Sequence, residues 1–247
     1  MYFLGLILSA VIGLSLGLIG GGGSILTVPI LVYLLGVETH EAVGMSLAVV
    51  GATSIFGAYL HHRKGTLKMK SGLLFGISGS SGAFLGSPLT HLVSPKILLL
   101  IFAALMFFVA FSMLWRKRNA ENETVHEANQ TKAILAGFGV GVLTGFLGVG
   151  GGFLIVPALV FFGGLPMKEA VGTSLFVIAL NCVAGLLGHL SYGMFDLQMT
   201  FLVTALAVSG TVIGTILSHR LSVSKLQKSF AFLVLAVASF LTYRNLF

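Results

Sequence analysis

The sequence predicts an all-α integral membrane protein made of two inverted repeats, and three observations support this prediction. Of the 247 residues, 56% are hydrophobic and only 9% are charged, with a mean hydropathy of +1.04. Soluble domains carry roughly 25% charge. The apolar runs are continuous rather than alternating, which favours membrane helices over a barrel. Finally, the second half of the chain repeats the first.

The internal repeat aligns residues 13–61 with residues 141–189 without a gap, and 20 of the 49 positions are identical. A match of this length among apolar residues exceeds what composition alone gives, so it indicates a genuine repeat. Within one membrane domain, we assign residues 1–118 to the first repeat, 119–131 to a hydrophilic cytoplasmic linker and 132–247 to the second repeat.

Each repeat is predicted to begin with a helix, a glycine break and a short helix. Residues 1–37 carry no charge. As one helix they would run about 55 Å, whereas the hydrocarbon core is about 30 Å thick. The segment must therefore fold back, and the glycine cluster at 20–24 is the predicted break. A short helix is predicted over 25–36, with Pro29 in its first turns, where a missing N–H costs least.

Three further spans are predicted in the first repeat, over residues 42–60, 71–90 and 97–115. A basic loop at 61–70 and a short turn at 91–96 connect them. The glycine and serine content of the middle span suits close helix packing. The second repeat is predicted to have the same order of elements. The whole chain then contains about eight spans as usually counted, and up to ten helical segments.

The loop charges predict that the two repeats are inverted. The basic loop at 61–70 corresponds to 189–198, which has no Lys or Arg but contains Asp196. Under the positive-inside rule, equivalent loops of opposite charge bias lie on opposite sides. With 61–70, 116–132 and 219–228 in the cytoplasm, 11 of the 14 Lys and Arg residues are inside and both termini are extracytoplasmic. The residues expected outside are Lys96, Lys168 and Arg244.

Inversion requires an odd number of crossings per half, so each glycine segment must be a re-entrant hairpin or a long span plus a short one.

Two backbone breaks at matching places point to a transporter's binding site. A helix N-terminus at such a break presents unpaired N–H groups and partial positive charge, which can hold an anion without a charged side chain. The predicted backbone donors are Gly20, Gly21, Gly22, Gly23, Ser24, Gly148, Gly150, Gly151 and Gly152.

The helix after each break carries polar side chains at matching positions of one face. Hydroxyl and amide groups there are predicted to orient the substrate, although helix packing and local back-bonding are alternative roles. These residues are Ser46, Thr53, Ser174 and Asn181. The candidates for ion coupling are Glu41, Glu169, His61 and His189. For these, helix capping of the acids and interfacial placement of the histidines are the simpler alternatives.

Several classes of function lack support in the sequence. There is no GxxxxGK[ST], HExxH or GxSxG motif, so neither ATP drive within this chain nor an enzyme is predicted. Cys182 is the only cysteine, which leaves no CxxC metal site. No cofactor or metal is predicted. The net charge of +7 is assigned to membrane topology rather than to nucleic acid. The oligomeric state is not indicated.

The motifs GLIGGGGSILTVP and GFLGVGGGFLIVP, each followed by EAVG-x-S-L, resemble the sulfite exporter TauE/SafE family of membrane permeases. The resemblance covers nearly the whole chain. It implies a prokaryotic plasma-membrane location and transport of sulfite, sulfonates or other small anions. The chain departs from perfect symmetry where Gly21 becomes Val149, Ser24 becomes Gly152 and Thr53 becomes Asn181.

The predicted function is therefore secondary transport of a small anion by alternating access. The predicted partners are this anion and the membrane lipids. Two alternatives stay open. One is a passive channel or metal-ion permease that uses the membrane histidines. The other is a membrane scaffold that transports nothing, in which the glycine turns only pack helices.

Overall fold

The computed structural model describes residues 2–115, 130–147, 151–189, 196–218 and 223–246. Within these ranges the chain forms ten α-helices and one 3-10 helix, and no strand. The first half contains α1 (Tyr2–Ile19), α2 (Gly22–Tyr33), α3 (Thr39–Arg63), α4 (Met69–Gly86), the 3-10 helix Ser87–Leu92 and α5 (Pro95–Trp115). The second half contains α6 (Gln130–Leu147), α7 (Gly152–Phe161), α8 (Met167–His189), α9 (Leu197–Ser218) and α10 (Val223–Leu246).

The all-helical prediction is thus confirmed for the described residues. Four of the described segments are long and apolar enough to cross a membrane, namely Thr39–Arg63, Pro95–Ser112, Met167–His189 and Leu197–Ser218. Large apolar side chains point outward from the bundle, as expected where lipid rather than water is the solvent. Residues 119–129 of the predicted linker lie outside the described residues.

The first glycine segment folds back as a helical hairpin. Near the open end, a Cβ built on Gly5 of α1 would lie 2.6 Å from the Leu35 side chain, just beyond α2. Near the turn, a Cβ on Gly22 would lie 2.6 Å from the Ser15 hydroxyl oxygen. Helices α1 and α2 therefore run antiparallel, and both open ends are on the same side. Gly20 makes the turn in the left-handed region, with φ of 78°, where glycine has no steric cost.

Helices from opposite halves pack with their backbones in contact. Along α1 and α9, a Cβ on Gly13 would lie 1.6 Å from the Ala207 carbonyl oxygen, and one on Gly214 would lie 2.2 Å from the Leu14 carbonyl oxygen. Only glycine allows such an approach, and small residues at helix interfaces are how membrane helices pack closely. Gly17, four residues after Gly13, faces Thr211, four residues after Ala207, so α1 and α9 run parallel.

The same packing recurs between α4 and α6. A Cβ on Gly82 would lie 2.3 Å from the Phe138 carbonyl oxygen, and one on Gly145 would lie 2.1 Å from the Ala83 carbonyl oxygen. These helices also run parallel. In the sequence repeat, α1 is equivalent to α6, and α9 is equivalent to α4. The α1–α9 pair and the α6–α4 pair are therefore the same contact in the two halves, and the packing follows the repeat.

Helices α3 and α8, which are equivalent in the two halves, pack together and run in opposite directions. The loop after α3 lies at the start of α8, where Lys68 Nζ is 3.1 Å from Glu169 Oε1. At the other end, the His91 ring lies between His40 at the start of α3 and His189 at the end of α8. The start of each helix is therefore beside the end of the other.

The expectation that Lys168 lies on the opposite side from the basic loop is wrong. Lys168 precedes Glu169 in the first turn of α8, and Glu169 pairs with Lys68 of that loop. Because the start of α8 packs against the end of α3, Lys168 and the loop at 61–70 lie at the same end of the bundle. Its positive charge therefore adds to the charge bias of that end.

Candidate anion site at the glycine turns

The starts of α2 and α7 meet. A Cβ built on Gly21 would lie 2.0 Å from the Gly152 carbonyl oxygen, and one built on Gly152 would lie 2.6 Å from the Gly21 Cα. In proteins, Cβ atoms essentially never lie within 3.0 Å of a non-bonded heavy atom. The two backbones can therefore touch only because both positions are glycine. Two turns 128 residues apart in sequence thus form one feature of the fold.

Each turn opens a helix whose first N–H groups have no side-chain cap in the described structure. Gly21 is the N-cap of α2 and Gly151, with φ of 65°, is the N-cap of α7. The first residues of both helices are buried, and neither helix contains Lys or Arg. A buried helix start without capping partners is unusual unless another group satisfies it. The two starts therefore combine N–H groups that intrahelical bonds leave unused with partial positive charge, among buried residues.

Both the backbone conformation and the close packing at position 151 require glycine. Its φ lies in the left-handed region, and a Cβ there would lie 1.6 Å from the Thr144 side chain on α6. Gly22 and Gly23 pack on α1 in the same way, against Ser15 and the Ile12 carbonyl oxygen. The other two predicted donors, Gly148 and Gly150, lie outside the described residues.

The predicted hydroxyl groups divide into those with hydrogen-bond partners and one without. Ser24 Oγ donates to the Gly21 carbonyl at 2.8 Å, within its own helix. Ser174 Oγ contacts the carbonyls of Val171, at 2.8 Å, and of Gly20, at 3.3 Å, so it ties α8 to the turn of the other half. Ser46, the equivalent of Ser174, is fully buried, and its hydroxyl has no partner among the described residues.

Thr53 and Asn181, the equivalent pair two turns further along, differ in the same respect. The Thr53 hydroxyl donates to the Val49 carbonyl one turn back in α3. Asn181 is only 2% exposed, and neither its amide nitrogen nor its amide oxygen has a hydrogen-bond partner in the described part of the chain. Its amide faces Gly79 of α4. A buried amide without partners costs free energy, so a site that retains one favours a polar ligand or water there.

Asn181 lies close to the glycine turns. It follows Ile178 by three residues, a rise of about 5 Å along α8. The Ile178 side chain would lie 2.8 Å from a Cβ on Gly152. Along α8, the residue that faces Gly152 and the residue with the unpaired amide are therefore about one helical turn apart.

Two further buried hydroxyl groups were not predicted from the sequence. The Ser15 hydroxyl lies beside Gly22 at the start of α2, and Ser54 adjoins Thr53 in α3. Both are buried, and in the described ranges neither hydroxyl has a partner. Ser15 is one of two serines in the uncharged helix α1, and this was the available signal. Its relevance depends on the hairpin contact, which the sequence does not encode locally.

The paired acids link the two halves. The side-chain cap of α3 is Glu38, which accepts the N–H groups of His40 and Glu41. Glu41 Oε1 instead accepts the N–H of Asp196 at 3.1 Å, and Glu169 pairs with Lys68. Because Asp196 is the repeat equivalent of Lys68, these are matching contacts at opposite ends of the bundle.

The span-end histidines are more buried than interfacial placement suggests. His61 is 2% exposed, and its Nδ1 lies 2.8 Å from Thr66 Oγ1. His189 is 7% exposed and its ring centroid lies 4.8 Å from that of His91, which stacks at 5.3 Å on His40. The sequence did not predict this cluster, because its members come from three separate elements.

The environment of His91 favours its neutral imidazole form. Burial, followed by the nearby His40, lowers the pKa of His91, and Glu38 opposes this shift. The His40 and His91 rings are stacked, and the His91 and His189 rings are tilted by 35°. In the residues that the structure describes, no group of three or more His, Cys, Asp or Glu is arranged to hold a metal ion.

Comparisons with known proteins agree with this architecture. The sequence pattern of the sulfite exporter TauE/SafE family matches residues 5–241. A probable membrane transporter protein of Xylella fastidiosa (strain 9a5c) is 37% identical over 249 residues, covering 95% of this chain and 92% of the relative. The probable membrane transporter protein YdhB of Bacillus subtilis is 31% identical, covering 93% and 95%.

The similarity extends to archaea. A probable membrane transporter protein of Methanocaldococcus jannaschii is 30% identical over 192 residues, covering 75% of this chain and 71% of the relative. No solved structure matches the chain. The family match extends from α1 to α10. The chain is an integral membrane transporter and belongs to the sulfite exporter TauE/SafE family.

Proposed function

We propose that this transporter is a secondary carrier of small anions, with sulfite or an organosulfonate as substrate, in a prokaryotic plasma membrane. One observation carries the proposal: two buried helix starts without side-chain caps meet at Gly21 and Gly152, in helices that contain no Lys or Arg. The sulfur-oxyanion class comes from the family match. Access from either side would alternate as the turns separate and close.

The charge of the helix starts suggests which anions fit. Each helix N-terminus is equivalent to about half a positive elementary charge, so two facing starts balance about one negative charge. Sulfonate and hydrogen sulfite carry one negative charge over several oxygen atoms, each of which accepts hydrogen bonds. We expect backbone N–H groups at 20–24 and 148–152 to hold these oxygens. Ser46, Ser174 and Asn181 would orient the rest of the substrate, whereas the Thr53 hydroxyl already donates to the Val49 carbonyl within its own helix.

The proposal includes inverted repeats, in which the two hairpins enter the membrane from opposite sides. The antiparallel packing of α3 against α8, and the exchange of the α1–α9 and α6–α4 pairs, support this arrangement. Combined with the positive-inside rule, it puts the loop at 61–70 in the cytoplasm and both termini outside.

Cysteine labelling in intact cells tests this topology. In a Cys182→Ala background, Thr66→Cys should react with a membrane-impermeant maleimide only after the cells are opened. Met194→Cys should react from outside, because its loop has no Lys or Arg and is expected on the opposite side. Labelling of both positions from the same side would contradict inversion, whatever the substrate is.

Transport by the purified protein tests the substrate class. In proteoliposomes we expect saturable uptake of radiolabelled sulfite or a small sulfonate, and uptake should respond to a pH gradient if Glu41, Glu169, His61 or His189 couples protons. Vesicles with Gly21→Ala protein serve as the control. Absence of saturable flux over a panel of sulfur oxyanions and carboxylates would contradict the proposal. Cation flux lost on replacing His61 and His189 would instead support the metal-ion permease.

A further inference from the structure

An open apolar groove of about 300 Å³ lies on the outer surface, between α3 and α8. We call it the α3–α8 groove. Its lining is almost entirely nonpolar. Several lining side chains are about half exposed, so they face the surroundings rather than the core. Residues that define the groove include Ile55, Tyr59, His62, Met69, Leu180 and Val183.

The basic loop at 61–70 closes one end of the groove. His62 and Met69, which line it, are neighbours in sequence of the exposed residues Arg63, Lys68 and Lys70. An anionic phospholipid has a nonpolar acyl chain and a negatively charged headgroup. The nonpolar groove matches the chain, and the clustered positive charge at its end matches the headgroup. Basic residues next to the membrane surface attract such headgroups.

Two of the four basic side chains in the loop are available for a headgroup. Lys68 pairs with Glu169, and Lys64 Nζ donates to the Thr215 carbonyl at 3.4 Å. Arg63 and Lys70 are exposed and make no hydrogen bond or ion pair with the described residues. These two charges therefore remain to be balanced from outside the chain.

The sequence repeat supplies an internal comparison. In the second half, Leu187 stands at the position equivalent to Tyr59 and Leu190 at the position equivalent to His62. The equivalent loop at 189–198 has no Lys or Arg and contains Asp196. A general need for lipid-facing surface applies to both halves, whereas positive charge at the end of a groove belongs to the first half alone.

We propose that the α3–α8 groove binds one acyl chain of an anionic phospholipid, whose phosphate group is held by Arg63 and Lys70. The tail gains little free energy by leaving the bilayer, because lipid and groove are equally apolar. Selectivity must therefore come from the headgroup. This site is separate from the glycine turns and does not depend on which solute is transported.

Native mass spectrometry tests the proposal. The protein would be reconstituted with equal amounts of phosphatidylglycerol and phosphatidylethanolamine of matched chains, and the ratio of bound lipids measured after extraction. The wild-type protein should retain phosphatidylglycerol preferentially. The exposed double substitution Arg63→Gln with Lys70→Gln should lower that preference about tenfold, because both headgroup charges are removed.

The groove itself is tested by filling it. Val183→Trp, at a half-exposed lining position, should reduce retention of both lipids, whereas Leu187→Trp, at a half-exposed position outside the lining, should leave retention unchanged. Equal retention of both lipids by the wild type, or an unchanged preference in the double variant, would overturn the proposal. A protein dimer that dissociates on Val183→Trp, without retained lipid, would assign the groove to a second copy and overturn it as well.

Discussion

Replacing Gly21 by alanine should reduce saturable anion uptake to below about one-tenth of the wild-type rate while the protein remains in the membrane. The new methyl carbon would lie 2.0 Å from the Gly152 carbonyl oxygen, which is backbone and cannot rotate away. The turns must then separate, so the donors of α2 and α7 no longer converge on one point. Overpacking of this kind costs about 1–3 kcal/mol of stability, which still permits a folded protein.

The control for this substitution is Gly139→Ala. Gly139 lies in α6, and a Cβ there would meet nothing within 4 Å, so the same chemical change should leave uptake unchanged. Initial rates in proteoliposomes, normalised to protein amount, would be compared with the thermal unfolding midpoint of each variant. Full uptake by Gly21→Ala at normal protein levels would remove the contact between the turns from the mechanism.

Replacing Asn181 by leucine should separate stability from transport. The substitution removes an amide that is buried and unpaired in the described structure, and keeps four side-chain heavy atoms, so thermal stability should stay the same or rise. If the amide binds the substrate, apparent affinity should fall about 10- to 100-fold, since a hydrogen bond to a charged group contributes about 1.5–3 kcal/mol.

The matched control is Thr53→Val at the equivalent position of the first half. The Thr53 hydroxyl already donates to the Val49 carbonyl, so its removal should change affinity by less than about threefold. Substrate binding and unfolding would be measured on the same preparations. Wild-type affinity in Asn181→Leu would return Asn181 to a packing role, and lower stability without lower affinity would do the same.

The hairpins could be predicted from the sequence because the argument needs only length and charge. Residues 1–37 are too long for one crossing and carry no charged residue, so the chain must turn at its glycines. The backbone contact between Gly21 and Gly152 agrees with what inversion of two equal hairpins implies. The symmetry of the repeat thus predicted a contact between distant parts of the chain, which local sequence patterns cannot predict.

Other parts of the site required the three-dimensional contacts. Ser46 and Ser174 are the same residue at equivalent positions of the two repeats. Nevertheless, only Ser174 has hydrogen-bond partners among the described residues. The position of Lys168 follows from a contact with the end of α3, and the stack of His40 on His91 joins elements far apart in the chain. Hydrogen-bond partners of this kind depend on ångström-scale packing, whereas hydropathy and charge reflect only average environments.

The glycine contacts of α1 with α9, and of α4 with α6, have a consequence for how the protein assembles. In each pair one helix comes from each half, so neither half buries its own glycine faces. The two repeats are interlocked and are not independent folding units, although the sequence divides evenly between them. A half expressed alone would expose these surfaces, and its natural way to cover them is antiparallel association with a second identical half.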